Sequence, residues 1–168
     1  MTSAIFLLTA VSAERLGELW WAQSNTTLLL SQGAREVSPG HYPAIVILHV
    51  LWLASLWAFG WTNPVSSPWL AAFLVLQILR AWTLTTLGRR WTTRIIVLPG
   101  APLIKNGPYR FLSHPNYCVV IGEIAVLPLC LGLFWLSLAF SIANILVLTI
   151  RVRAENAALN GIFHVNRA

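Results

Sequence analysis

From Asn116 to Ile150 the chain runs through apolar side chains with no basic residue and a single carboxylate, Glu123. A helix crosses a bilayer core in roughly 20 residues, so this run is too long for one crossing. Leu131-Gly132-Leu133 divides it best, giving two closely packed spans joined by a tight hairpin. The whole chain follows the same trend: 57% of residues are hydrophobic and 10% charged, against about 25% charged in a soluble domain. An integral membrane protein is the stronger expectation, and a soluble helical domain with a large core the weaker one.

Three further spans precede this pair. The first covers about Thr2 to Trp21 and is interrupted by Glu14, Arg15 and Glu18 on neighbouring turns. Charges at that depth are costly unless they pair or face a polar cavity. Arg15 pairing with Glu14 or Glu18 is the simplest solution. Met1 to Ala13 ends like a signal-peptide cleavage site but has no basic leader, and Glu14 follows at once, so it reads as a retained helix. A polar loop from Gln23 to Tyr42 contains the breakers Gly33, Pro39 and Gly40. The second span, Pro43 to Trp61, carries His49. A short turn then returns the chain into the third span, Pro68 to Leu87, which opens on proline where a missing N–H costs nothing. Gly88 to Ser113 is polar and arginine-rich. The tail from Arg151 starts helical and is expected to fray. The expected fold is therefore all-α: one domain over 1–168, five transmembrane helices and a connector, with the site mainly from residues 94–160.

Basic residues set the orientation. Arg35, Arg89, Arg90, Arg94, Lys105, Arg110, Arg151, Arg153 and Arg167 all fall on one side, leaving Arg15 and Arg80 of the eleven inside spans. The positive-inside rule puts that side in the cytoplasm and the amino terminus outside. Trp61, Trp69 and Trp135 then mark the outer interface and Trp91 the inner one. The net charge of +6 is explained by these flanks better than by nucleic-acid binding. Cys118 and Cys130 are expected as small buried hydrophobes, without the spacing or His partners of a metal site.

The polar groups of the inner side concentrate in the connector Gly107–Tyr117 and at the foot of the last span. Arg151 and Glu155 are four apart and share a helix face. They are either an exposed ion pair, worth a few tenths of a kcal/mol, or a fixed base and acid pointing into a pocket shared with the connector.

Gly107-Pro108-Tyr109-Arg110, His114-Pro115-Asn116-Tyr117 and Arg151 with Glu155 together resemble the signature of the isoprenylcysteine carboxyl methyltransferase family, integral membrane enzymes that use S-adenosylmethionine. Gly33-Ala34-Arg35-Glu36 and His41-Tyr42-Pro43 resemble the small bacterial branch, whose acceptors in some members resemble alkylpyrone or alkylresorcinol hydroxyls. The resemblance implies cofactor contacts from Ala101, Pro102, Leu103, Ile104, Tyr109, His114, Pro115, Asn116, Tyr117 and Glu155. It implies a catalytic and acceptor-binding role for Arg151. A second acid that the family often carries after the first is Asn156 here, which leaves a single carboxylate at that point.

No glycine-rich loop follows a strand, so the soluble nucleotide-binding fold is not on offer. A lipophilic acceptor would arrive from the bilayer, its oxygen anion favoured by Arg151. Glu123 reads as a hydrogen-bond partner of a neighbouring helix more readily than as a base, and so does His49. Arg80 is expected near the inner interface, snorkelling or paired. Two other functions fit less well: a phospholipid N-methyltransferase, whose amine acceptor would not want Arg151, and a membrane scaffold without catalysis.

Overall fold

Among the described residues five α-helices follow one another: α1 (Thr2–Ser31), α2 (Tyr42–Gly60), α3 (Ser67–Leu87), α4 (Pro115–Cys130) and α5 (Phe134–Val165). This computed structural model describes residues 2–165; Arg167 and the side chains of His41 and Asn156, used in the sequence reading, lie outside the described residues. Among the described residues three segments are long and apolar enough to cross a membrane: Tyr42–Gly60, Ser67–Arg90 and Phe134–Glu155. α4 has only 16 residues, and α1 is long but charged at its middle. The expectation of five spans thus stands at three by length and composition.

Two boundaries differ from expectation. The first helix continues to Ser31 instead of yielding to a loop at Gln23. The hydroxyls of Thr26, Thr27 and Ser31 donate to carbonyls of their own preceding turn, at 2.8, 3.1 and 2.7 Å. This satisfies the polar groups inside the helix, and Leu28–Leu30 supply apolar surface. The tail, expected to fray, stays helical to Val165.

Buried positions of α1 run Ala4, Leu8, Val11, then Ala22, Asn25, Leu29, in alternating steps of four and three. Arg15 and Glu18 fill the gap at the same spacing, so α1 presents one continuous seam. Its upper part joins Leu48, Trp52 and Leu56 of α2, Phe73 of α3, and Ile124 and Leu127 of α4 in the main core. α3 and α4 approach closely where Gly122 meets Leu76: an added Cβ would lie 2.7 Å from Leu76 Cδ2.

Both hairpins sit at one end of the bundle. Asn63 Nδ2 donates to the Leu131 carbonyl at 2.8 Å, and Ser66 N to the Cys130 carbonyl at 2.8 Å, tying the α2–α3 turn to the α4–α5 turn. The opposite end gathers the close of α1, the starts of α2 and α4, and the whole stretch between α3 and α4. There β1 (Arg35–Glu36) pairs antiparallel with β2 (Ile96–Val97), Arg35 opposite Val97. Arg94 Nη1 donates to Glu36 at 2.9 Å, and its guanidinium lies 4.8 Å from the Tyr42 ring centre.

Two side chains expected elsewhere are corrected. Trp91 is not an interfacial belt residue: it is 3% exposed and packs with Ala22 and Leu84, its ring 5.3 Å from that of Trp21. Asn25 Nδ2 donates to the Trp91 carbonyl at 2.8 Å, so the extra turns of α1 draw that residue inward. Cys130 is buried as expected, but Cys118 is exposed on the outside of α4.

Candidate functional site

A cavity of about 660 Å³ opens at this end of the molecule, within the usual range of roughly 300–1,000 Å³ for small-molecule sites. The strip Ala101–Ile104 with Tyr109 forms one wall. The first turn of α4 supplies His114, Asn116 and Tyr117, and α5 supplies Arg151 and Glu155. Of the cofactor-contact residues implied by the sequence, only Pro115 is not part of the lining. It is buried and starts α4, where proline fits the first turn.

The connector keeps this shape through two local devices. Gly107 has φ +56, a left-handed conformation that glycine adopts without penalty. A Cβ there would lie 2.5 Å from Thr86 Oγ1, so the chain is also pressed against α3. Further back, Gly100 (φ +77) turns the strip over, and Arg90 Nη1 donates to the Pro102 carbonyl at 2.5 Å.

Arg151 is 7% exposed, which sets aside the reading of an exposed surface pair. Its Nε donates to the Tyr117 hydroxyl at 2.8 Å, and that hydroxyl donates to the Glu155 carboxylate. The Arg151 guanidinium also lies 5.5 Å from the Tyr117 ring centre, while His114 stacks on the same residue at 5.3 Å and 18°. Base, phenol and acid thus form one chain along the cavity wall. Tyr109 belongs to the same electrostatic neighbourhood: burial, and after it the negative charge of Glu155, holds its phenol well above the ordinary tyrosine range.

Glu155 is the one carboxylate among the described lining residues, facing the cations Arg90, Arg94, Lys105 and Arg151. Among the described residues two buried lining groups have no partner: the acceptor Asn116 Oδ1 and the donor Trp91 Nε1. Unpaired buried polar atoms are costly, so the cavity suits a ligand offering both N–H or O–H donors and acceptor oxygens. The family cofactor implied by the sequence, S-adenosylmethionine, carries an ammonium, a carboxylate, hydroxyls and a cationic sulfonium. The donor set fits it.

The remaining wall was not legible beforehand. Leu29 of α1, Leu87 of α3 and the Ile95–Leu98 stretch make it apolar. The leucine run at residues 28–30 was the available signal that α1 continues. Glu123 and Arg80 lie away from the cavity lining. Glu123 accepts from Gln77 at 3.0 Å and Arg80 at 2.8 Å on α3, as the neighbouring-helix reading expected. His49, expected to bond a neighbouring helix, instead donates from Nδ1 at 2.9 Å to the Ile45 carbonyl of its own helix.

A family profile, isoprenylcysteine carboxyl methyltransferase (ICMT) family, matches residues 69–161. The chain is similar to an uncharacterized protein, YpbQ, of Bacillus subtilis (strain 168). They are 40% identical over 158 residues, covering 91% of this chain and 94% of the relative. It is also similar to an uncharacterized protein of Haemophilus influenzae, 24% identical over 102 residues, covering 60% of this chain and 59% of that one. No solved structure matches.

Proposed function

Because the chain belongs to the isoprenylcysteine carboxyl methyltransferase family, we propose that it is an integral membrane O-methyltransferase that uses S-adenosylmethionine on a lipophilic acceptor. The observation that carries this reading is the Arg151–Tyr117–Glu155 chain, set into a cavity that also holds Tyr109, His114 and the Ala101–Ile104 strip.

When bound, the cofactor supplies an electrophilic methyl group on a positively charged sulfur. Glu155 and the Tyr109 ring would hold its positive charge, by ion pairing and cation–π attraction. Asn116 Oδ1 accepts a hydrogen bond and Trp91 Nε1 gives one. Backbone groups of Ala101–Ile104 fix the remaining polar edges. Arg151 spends Nε on Tyr117 and turns its terminal nitrogens to the acceptor oxygen. A carboxylate acceptor needs only that orientation. A phenolic hydroxyl, with a pKa of about 10, also gains anion stabilisation from the guanidinium. The apolar wall of Leu29, Leu87 and Ile95–Leu98 takes the hydrophobic part of the acceptor and excludes water, so the chain contributes chiefly alignment. Both isoprenylcysteine-like carboxylates and alkylpyrone- or alkylresorcinol-like hydroxyls satisfy this description.

All five helices cross the bilayer in this proposal, with the amino terminus outside. The short α4 is completed by its hairpin, and Arg15 and Glu18 of α1 are paired inside the bundle. The cavity end, with Arg35, Arg89, Arg90, Arg94, Lys105 and Arg110, faces the cytoplasm.

The test is titration of the purified full chain in detergent with S-adenosylhomocysteine, alongside Glu155→Ala and His114→Ala. Binding by the wild type and its loss in both variants is the expected result. No binding by the wild type would favour a scaffold, and unchanged binding in the variants would remove the site assignment. Labelled methyl donor supplied to membranes, followed by lipid extraction, separates esters and ethers from amines.

A further inference from the structure

α1 lies outside the segment that the family profile matches, yet its seam reaches the cavity and carries part of a buried charge cluster. Arg80 on α3 is 6% exposed and grips Glu18 of α1 with a fork: Nε donates to Oε1, and Nη2 to Oε2 at 2.6 Å. Its Nη1 donates to Glu123 of α4 at 2.8 Å, and Glu123 is 3% exposed. Arg15 closes the ring, 2.9 Å from Glu18 and 3.1 Å from Glu123. Two arginines and two glutamates make up the ring, with Gln77 filling a remaining position on Glu123 and Glu14 at its edge, 3.7 Å from Arg15.

A ring of this kind is a poor source of net stability, because desolvation of four charges offsets their attraction; apolar replacements of similar volume are often as stable. What it supplies is discrimination. Leu, Val and Ala seams slide past one another at little cost, the more so in lipid, where tails are as apolar as the helix surface. A charged pair in one seam position admits one partner arrangement, as a buried polar residue does in a coiled coil.

The same seam, two and three turns beyond Glu18, places Asn25 and Leu29. Asn25 Nδ2 donates to the Trp91 carbonyl at 2.8 Å and lies 3.3 Å from that of Gly88. Leu29 lines the cavity, as does Trp91. A slip of α1 by one seam step would withdraw both.

We propose that the Arg15–Glu18–Arg80–Glu123 ring is a register lock. It fixes the depth and rotation of α1 so that Asn25 and Leu29 complete the wall of the cavity. The four are positioning residues; none touches the cavity.

The test separates locking from stabilising. Arg15→Leu, Glu18→Leu, Arg80→Met and Glu123→Leu are combined in the full chain, which is expected to unfold at a temperature no lower than the wild type. It is expected to bind S-adenosylhomocysteine about tenfold more weakly. Wild-type affinity in that stable variant would overturn the inference. This arm rests on the methyltransferase reading; a second does not. Trp57 Nε1 of α2 donates to Ser12 Oγ of α1 at 3.0 Å, which reports the depth of α1. With Cys118→Ala and Cys130→Ala, Ser12→Cys/Trp57→Cys is expected to be linked in membranes by a short thiol reagent, and Leu16→Cys/Trp57→Cys far less. In the combined variant, and with Glu18→Gln alone, the two pairs are expected to link comparably. Retention of the single wild-type link in both backgrounds sinks the lock whatever the wild type does with S-adenosylhomocysteine. Failure of wild-type binding with a spread of links sinks only the function.

Discussion

Arg151 and Glu155, one turn apart on α5, meet through a third residue: the Tyr117 hydroxyl accepts from Arg151 Nε at 2.8 Å and donates to the Glu155 carboxylate. The arrangement turns two charges of one helix into a wall shared with α4. It also means that the phenol cannot be removed without disturbing both neighbours.

Tyr117→Phe keeps the ring, its stacking on His114 and its contact with Arg151, and deletes only the bridge. The buried Nε is left without a partner, a loss of about 1–3 kcal/mol. A lower unfolding midpoint, together with S-adenosylhomocysteine binding weakened about tenfold, is the expected outcome in calorimetry. Wild-type values for both would show the bridge to be incidental.

Arg151→Lys preserves the charge and loses the planar fork. The acceptor side should suffer more than the cofactor side. The expected result is kcat/KM for the methyl acceptor down by about tenfold to a hundredfold, the scale of a misaligned reacting group, with S-adenosylhomocysteine affinity within a factor of about three. Equal losses on both sides would place Arg151 with the cofactor instead.

Gly107→Ala introduces a Cβ 2.5 Å from Thr86 Oγ1 at φ +56. Holding alanine in that conformation costs about 1–3 kcal/mol, before any displacement of the connector from α3. Reduced thermal stability and weaker cofactor binding are expected together. Thr86→Ala, which removes the hydroxyl and the methyl that lie 2.5 and 3.1 Å from that Cβ, should restore part of the loss.

Tyr109 gives the pH dependence. Burial, then the charge of Glu155, raises its phenol above the unfolded value of about 10. Its stabilising share is therefore complete below that pH and is lost as pH rises from there towards the folded value. An alkaline titration of phenolate absorbance should show late-ionising tyrosine, with one such phenol fewer in Tyr109→Phe than in the wild type. The variant should also lose stability less steeply above pH about 10. Superimposable curves would mean that Tyr109 is solvated.

Sequence and structure agree best where composition changes abruptly. α2 was expected at Pro43–Trp61 and is Tyr42–Gly60; α3 was expected at Pro68–Leu87 and is Ser67–Leu87. Proline and glycine punctuate both helices, and their interiors are apolar, so a local rule suffices. The end of α1 was misjudged because Thr26, Thr27 and Ser31 look like loop residues until their hydroxyls are seen returning to the helix. Trp91 was misplaced because an aromatic beside arginines resembles an interfacial anchor, whereas Asn25 and Trp21 hold it inside.

By itself the sequence determined the helical class, the positions of the breaks and the polar connector, since each depends on neighbours along the chain. The tertiary structure alone decided the pairings: Glu18 with Arg80 across 62 residues, Glu123 with Arg80 across 43, Tyr117 with Glu155 across 38. Which charge faces which depends on the rotation and depth of separate helices. Apolar patterns leave both nearly free, and buried charges then fix them because an unpaired one costs too much to keep.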